Sequence, residues 1–233
     1  MNLHADLTLR VVGHVHEARW LPSPNPAVQR RMLDRIGDEV ARATTIVRYA
    51  AGAKFDRHCH GGGEEILVLE GVFSDEQGDH PACTYLRNPP GSAHAPFSVE
   101  GCLLFVKLWQ FAADDLIPLR IDTAAMPWQL SQLDGVEMQS LHRHRQITTT
   151  LERWAPGVQR VISLETGGVE ILVLTGGFCE HAEYRGDIAI NDYTAGSWLR
   201  VPCGCALVLR AGSVGTTVYV KVGHLGAASS FPT

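Results

Sequence analysis

The sequence of 233 residues lacks the features that mark several common protein classes. Its aliphatic runs are short, such as residues 66–69, whereas a membrane-spanning helix needs about 20 apolar residues. The net charge is −5, so no basic surface indicates binding to nucleic acid or to anionic lipid. The first 20 residues contain neither an apolar signal core nor a small-residue cleavage site. We therefore expect a cytoplasmic protein with no nucleic-acid partner and no membrane partner.

Several catalytic signatures are also missing. We find no nucleophilic triad, no phosphate-binding loop and no dinucleotide fingerprint, and the three glycines 61–63 read as a turn before a strand. The six cysteines form no Cys-x2-Cys pair, which argues against a zinc module or a redox site. In a reducing cytosol we expect them to be buried thiols rather than disulfides.

The composition is that of a packed protein rich in strands. Hydrophobic residues make up 45% and charged residues 19% of the chain. Short runs rich in β-branched and aromatic residues alternate with clusters of glycine and proline, which is typical of strands joined by turns. Many short strands with frequent turns predict an all-β sandwich or closed barrel. Only residues 118–126 favour a short helical connector.

The chain contains two copies of one pattern. Residues 62–73 (GGEEILVLEGVF) return as residues 167–178 (GGVEILVLTGGF), which is an offset of 105. The offset grows to 113 between residues 85–91 and 198–204, and to 114 between residues 105–108 and 219–222. This growth predicts a longer loop near residues 182–194 of the second copy. We therefore predict two domains, 1–113 and 114–233, joined near residues 112–127.

The first copy contains a set of possible metal ligands. Alternation along a strand puts His58 and His60 on one face and Cys59 on the other, where we expect a packed thiol. Glu64 follows the glycine turn, and His94 follows a later Pro-Gly turn. Inward positions of different strands converge inside a closed barrel. Three imidazoles and one carboxylate suit Fe(II), Mn, Ni, Cu or Zn better than Ca or Mg.

The spacing of these residues resembles the two cupin motifs. Gly-x5-His-x-His-x3-Glu-x6-Gly begins at Gly52, and Pro-x-Gly-x2-His ends at His94. Residues 60–76 and 87–92 are similar to the ChrR-like cupin group, which is named after the cupin domain of a zinc-dependent anti-sigma factor. The resemblance covers most of the chain. It implies two tandem cupin barrels of the double-stranded β-helix (jelly-roll) type. It also implies one divalent transition metal ion per chain, for which Fe(II) and Zn(II) are the first candidates and Mn, Ni and Cu are alternatives. The ligands it implies are His58, His60, Glu64 and His94.

The second copy keeps the glycines and the apolar strands but loses all four ligands. At the positions of His58, His60, Glu64 and His94 it has Ser163, Glu165, Val169 and Leu207. Three charged residues have counterparts in both copies, and we interpret them as scaffold: Arg48 with Arg153, Arg87 with Arg200, and Lys107 with Lys221. We predict that the second barrel is a degenerate cupin that supports packing or dimerisation.

Two further His-x-His triplets, at residues 14–16 and 142–144, have no glutamate four residues after the second histidine and no framing glycines. We expect them to be strand-face histidines rather than ligands.

The leading functional hypothesis is an Fe(II)-dependent dioxygenase that acts on a small ketone, a diketone or a related enolisable compound, because some related small cupins are such enzymes. A non-enzymatic zinc-binding sensor is the first alternative. The chain lacks the His-x3-Cys-x2-Cys zinc pattern of the anti-sigma factors, so anti-sigma binding is not implied. A metal-dependent isomerase or hydrolase is the second alternative. The expected partners are a small-molecule ligand or substrate and a second copy of the chain in a homodimer.

Overall fold

The structure is a computed structural model that describes residues 1–38, 40–163, 167–184, 187–204 and 207–225, with the backbone alone for 181–184 and 187–190. These residues form 21 strands and no helix, so the described part of the chain has no helix that could cross a bilayer. The helical connector expected over residues 118–126 is wrong. Residues Leu119–Asp122 form a strand there, because they pair with residues 84–87 of the neighbouring strand.

Strands of two to sixteen residues follow one another along the chain. The first twelve are β1 (Val11–His14), β2 (Leu21–Pro22), β3 (Val28–Gly37), β4 (Ala41–Tyr49), β5 (Ala53–Lys54), β6 (His58–Cys59), β7 (Glu64–Asp75), β8 (Gly78–Pro81), β9 (Thr84–Asn88), β10 (Ala93–His94), β11 (Phe97–Ser98) and β12 (Cys102–Leu108). The others are β13 (Leu119–Asp122), β14 (Gln129–Leu130), β15 (Val136–His144), β16 (Ile147–Trp154), β17 (Gln159–Ile162), β18 (Val169–Tyr184), β19 (Asp187–Thr194), β20 (Ser197–Val201) and β21 (Leu207–Val222).

The chain divides into two compact units. Unit 1 contains Met1–Ala5 and Glu17–Met126, and unit 2 contains Asp6–His16 together with the described chain from Pro127 onward. The strand β1 therefore lies in unit 2, where it pairs with β20, and β13 lies in unit 1, where it pairs with β9. The sequence-based division into 1–113 and 114–233 differs from these units by those two strands.

Unit 1 is built on one large antiparallel sheet. Its main path is β13-β9-β7-β12-β4-β3-β2, with β5, β8 and β11 attached beside the path, while β6 and β10 form a separate pair. Alternation along β12 turns Cys102, Leu104 and Val106 into an apolar core. Ile66 and Leu86, on neighbouring strands, complete the same layer. This layer forms the wall against which the polar site of unit 1 is built.

Unit 2 repeats this plan. Its sheet has the order β1-β20-β18-β21-β16-β15-β14, with β17 and β19 beside the path. The opposed core pair Val136 and Trp154 stands where unit 1 has Val28 and Tyr49. The second copy is longer near residues 182–194, as predicted, but the extra residues do not form a loop, because they lengthen the paired strands β18 and β19.

The strand registers confirm the internal repeat. In unit 1, Glu65 stands opposite both Arg87 and Lys107. In unit 2, Glu170 stands opposite Arg200 and Lys221. All six side chains are buried. Each unit thus carries the same buried charges in the same register, which agrees with the interpretation of Arg87, Lys107, Arg200 and Lys221 as scaffold.

Candidate metal centre

Two short strands bring the histidine segments of unit 1 together. The strands β6 and β10 pair so that His58 lies opposite His94. The next histidine along the chain, His60, donates its backbone N–H to the carbonyl of Ser92 at 2.9 Å, and its own carbonyl accepts the N–H of Gly91 at 2.9 Å. These bonds hold the two segments in register, so three imidazoles face one region.

The glycine turn between His60 and Glu64 has no room for side chains. A Cβ at Gly62 would lie 2.1 Å from the ring of Trp109. Gly63 has a φ of +77°, and a Cβ there would lie 2.5 Å from the ring of Phe111. Glycine is therefore required both for the close approach and for the left-handed backbone. The turn delivers Glu64 to the first position of β7, as the sequence predicts.

The polar atoms of the site lie close together. Ligand atoms of His58, His60 and His94 all lie within 4.8 Å of one another, and their ring centroids are 4.7 to 5.1 Å apart. Glu64 Oε2 lies 3.4 Å from Nε2 of His60 and 3.5 Å from Nε2 of His94. Neither of the other two His-x-His triplets belongs to a cluster of this kind among the described residues.

The chemistry of these atoms fits a bound metal ion. The Nε2 atoms of His60 and His94 are buried and have no hydrogen-bond partner among the described residues, which is costly unless another group satisfies them. Burial lowers the pKa of His60, although the charge of Glu64 opposes this shift. The imidazole is therefore neutral near pH 7, and a neutral imidazole is the form that binds metals.

Unit 2 lacks this arrangement, as the sequence predicts. Val169 and Leu207, at the positions of Glu64 and His94, belong to its apolar core. Ser163 is exposed, and Glu165 lies outside the described residues. Hydrocarbon thus fills two of the four positions at which unit 1 carries polar donors.

A buried carboxylate that sequence reasoning missed supports the histidines. Asp75 Oδ2 accepts a hydrogen bond from His94 Nδ1 at 3.3 Å, and Oδ1 accepts from His80 Nε2 at 3.2 Å and from the backbone N–H of Gln77 at 2.9 Å. Burial alone would raise the pKa of Asp75, but these hydrogen bonds outweigh burial and hold the pKa well below its usual range. The carboxylate is therefore ionised, and His94 must carry its proton on Nδ1. This leaves Nε2 free to accept a metal ion.

A second supporting contact fixes Glu64. Asn88 lies opposite Glu64 in the sheet and donates Nδ2 to Glu64 Oε2 at 3.0 Å. The amide oxygen of Asn88 accepts in turn from Arg120 Nη2 at 2.7 Å. The same Nη2 lies 3.8 Å from Asp75 Oδ2. The strand β13, which carries Arg120, therefore contributes to the surroundings of the site.

A β-bulge explains why simple alternation does not find Asp75. Glu64, Ile66 and Val68 share the inner face of β7, so regular alternation would turn every odd-numbered position outward. The pairing with β12 slips by one residue at Leu69, which makes a bulge. Beyond the bulge the odd-numbered positions face inward, and Asp75 joins the site.

An apolar cavity of 640 Å³ in unit 1 includes part of the site in its wall. His58 and Glu64 line the cavity together with Tyr49, Phe73 and Leu104. Exposed residues such as Lys54 mark its open side. Burial raises the pKa of Tyr49 well above its usual range, so its phenol stays protonated. The cavity offers space for a small molecule beside the polar donors.

The cysteines differ from the expectation of buried thiols. Cys59 lies on the opposite strand face from the histidines, as predicted, but it is exposed rather than packed. Cys83 and Cys203 are also exposed, while Cys102 is buried. Alternation predicts the strand face on which Cys59 lies, but it does not predict whether other residues cover that face. Cys205 lies outside the described residues.

Comparisons with known proteins agree with this geometry. A family profile, the ChrR cupin-like domain, matches residues 8–112 and 118–226. A search of curated sequences gives no match. Among solved structures, a provisionally assigned dioxygenase from Nostoc punctiforme aligns with a TM-score of 0.72 at 14% identity, over 97% of this chain and 88% of that one. A variant of Bacillus subtilis oxalate decarboxylase aligns at 0.66 and 13% identity, over 93% and 78% of the two chains.

Two matches of one profile cover most of the chain, and the aligned structures share its fold. At sequence identities of 13–14%, these alignments show a shared fold and do not show a shared function. The two units are therefore tandem cupin jelly rolls, as the sequence predicts, and the chain belongs to the ChrR cupin-like family.

Proposed function

We propose that unit 1 is a mononuclear metal enzyme, an Fe(II)-dependent dioxygenase that acts on a small ketone, a diketone or a related enolisable compound. Its proposed ligands are His58, His60, Glu64 and His94. The observation that most supports this proposal is that His58 and Glu64 line the wall of an apolar cavity. A purely structural ion is enclosed by its ligands, whereas a catalytic ion needs access to a substrate.

Ferrous iron held by this donor set would supply Lewis-acid stabilisation of an enolate and one-electron chemistry toward O2. The chain's own residues would orient the donors and exclude water from the reaction. Asp75 and Asn88 fix His94 and Glu64, while the cavity wall of Phe73 and Leu104 keeps the substrate in an apolar environment. Cleavage of a 1,3-diketone by one O2 gives a carboxylic acid and a 2-oxo aldehyde. Both oxygen atoms and all electrons are then accounted for without a separate reductant.

The test begins with the metal content of the protein purified without added metal. We expect iron near one equivalent in the wild type, loss of that iron in His94→Ala, and no loss in His16→Ala. His16 is the matched control because it is an exposed histidine of an unrelated His-x-His triplet. Oxygen uptake is then measured with a panel of diketones and aryl ketones.

The proposal fails if the iron-loaded protein consumes no O2 with any member of the panel. Turnover that is independent of O2 would favour a metal-dependent isomerase or hydrolase. Stoichiometric zinc that is lost equally in His94→Ala, with no turnover, would favour the sensor.

A further inference from the structure

Three cationic side chains line the cavity of unit 1, namely Arg30, Lys54 and Arg57, and of these Arg30 is half-buried while the other two are exposed. Along β3, Val28 faces the core and Arg30, two residues later, lines the cavity. Arg31 faces the other way, and its guanidinium stacks 4.2 Å from the ring of Trp20. Across the sheet Arg30 lies opposite Val47, which lines the same cavity. One of two adjacent arginines thus points toward the cavity and the other points away from it.

The guanidinium of Arg30 is poorly satisfied by the protein. Within the part of the chain that the structure describes, it makes one hydrogen bond, from Nη2 to the carbonyl of Pro22 at 3.3 Å. Its Nε is buried without a hydrogen-bond partner, and no carboxylate pairs with Arg30 among the described residues. A half-buried guanidinium beside hydrocarbon is costly unless an anion pairs with it. Nearby Arg57 differs, because it is exposed and pairs with Glu76 at 2.6 Å.

At the matching position, unit 2 has no half-buried guanidinium that needs an anionic partner. The matched pairs Val28–Tyr49 and Val136–Trp154 place Met138 at the position of Arg30. Opposite Met138 lies Glu152, whose carboxylate accepts hydrogen bonds from the side chains of Trp154 and Arg160. Unit 2 therefore pairs its inward charge within the protein. Unit 1, which has the proposed metal ligands, leaves the inward charge of Arg30 without an anionic partner among the residues that the structure describes.

We propose that Arg30 binds a carboxylate of the substrate, so that the substrate is an oxo acid with an apolar body. This inference rests on the proposed function, which places the reacting carbonyl at the histidine cluster. A guanidinium can hold a carboxylate through two parallel hydrogen bonds, and the low dielectric of an apolar wall strengthens that contact. The cavity volume of 640 Å³ lies within the range of small-molecule sites.

The test measures binding rather than turnover. The full chain is kept under nitrogen and titrated calorimetrically with ω-phenylalkanoic acids of increasing length and with the alcohol of each length. The variants are Arg30→Met, which copies unit 2, Arg30→Gln as a second substitution, and Arg31→Met as the matched control. We expect at least one acid to bind roughly 10- to 100-fold more tightly than its alcohol. Both Arg30 variants should bind the acid and its alcohol equally well. They should bind the alcohol as the wild type does and retain its metal content. The control Arg31→Met should behave as the wild type in every measurement.

Two results would overturn the proposal. The first is that no acid of the series binds the wild type more tightly than its alcohol. The second is that the difference persists in a folded Arg30 variant, which would assign the preference for the acid to the metal centre or to Lys54 or Arg57, the other cations of the cavity wall. Failure of the dioxygenase proposal is separate, because it would appear as an absence of O2 uptake with oxo acids that do bind through Arg30.

Discussion

The replacement Asp75→Asn should weaken metal binding although Asp75 is not a proposed ligand. In the native protein, Oδ1 accepts two hydrogen bonds and Oδ2 accepts one, from His94 Nδ1. An asparagine has one acceptor oxygen, which will occupy the position of Oδ1, where it can accept from both His80 and Gln77. Its NH2 group then faces the Nδ1–H of His94, and two donors oppose each other. His94 must turn, or move its proton to Nε2, where the metal ion should bind.

The size of the effect follows from this geometry. Loss of a carboxylate that orients a metal-bound histidine typically weakens metal affinity 10- to 100-fold, which corresponds to about 1.4 to 2.7 kcal/mol. The native hydrogen bond from His94 Nδ1 to Asp75 Oδ2 is rather long at 3.3 Å, but in the variant a repulsive contact between two donors takes its place. We therefore expect a value inside this range rather than below it.

The assay is competition for Zn(II) or Co(II) against a chromophoric chelator at pH 7, with folding checked by circular dichroism. Glu76→Gln is the matched control, because Glu76 is the next residue and bonds to Arg57 and to the backbone N–H of Ala95. Its metal affinity should equal that of the wild type. A folded Asp75→Asn protein whose affinity lies within twofold of the wild type would refute the role of Asp75 in orienting His94.

Three further predictions concern stability and reactivity. Leu86→Ala should lower the free energy of unfolding by about 2–5 kcal/mol in urea titrations, while Val99→Ala, at a side chain that is 71% exposed, should change little. Burial raises the pKa of Cys102 to about 11, so this thiol should not react with a thiol reagent at pH 8 while the protein is folded. The number of thiols modified per folded chain should therefore be the same in wild type and Cys102→Ala, and the two should differ by one thiol only after unfolding. Arg10→Met should destabilise unit 2 by about 1 kcal/mol at pH 7, a value reduced for the partial exposure of Arg10. Burial would raise the pKa of Glu180, but its contact with Arg10 lowers the pKa below the unfolded value near 4.5. The difference in the free energy of unfolding between wild type and Arg10→Met should therefore be largest above pH 4.5, and it should disappear as the pH falls through the folded pKa of Glu180.

The convergence of His58, His60 and His94 could be predicted because the information is local. Each histidine sits at a fixed distance from a glycine or proline turn, and alternation then decides which face it occupies. The internal repeat added a second source of evidence. It identified Arg87 and Lys107 as scaffold, because their counterparts stand in the same register of the second sheet.

The supporting residues could not be predicted because they depend on irregular or long-range structure. Asp75 faces inward only because a bulge at Leu69 reverses the parity of β7. Arg120 reaches the site through β13, a segment for which local sequence favoured a helix and pairing with β9 produced a strand. The cavity position of Arg30 requires knowing that β3 lies beside β4 with Arg30 opposite Val47. None of these three facts has a signature in neighbouring residues.

Comparison of the two units separates what a buried carboxylate does for the fold from what it does for a metal site. Phe73 pairs with His80 in unit 1, and Phe178 pairs with Tyr193 in unit 2, so Glu180 occupies the place of Asp75. Glu180 accepts hydrogen bonds from Tyr193 and Arg10, as Asp75 does from His80 and His94.

A carboxylate at this place therefore belongs to both units, and only the histidine contact is specific to unit 1. Glu180→Gln should accordingly destabilise the protein by an amount similar to Asp75→Asn, about 1–3 kcal/mol, because each removes a charge from a buried hydrogen-bonded network. Metal affinity distinguishes the two variants, since it should fall in Asp75→Asn alone. If both variants lowered it equally, the loss would come from general destabilisation, and the orienting role of Asp75 would have to be abandoned.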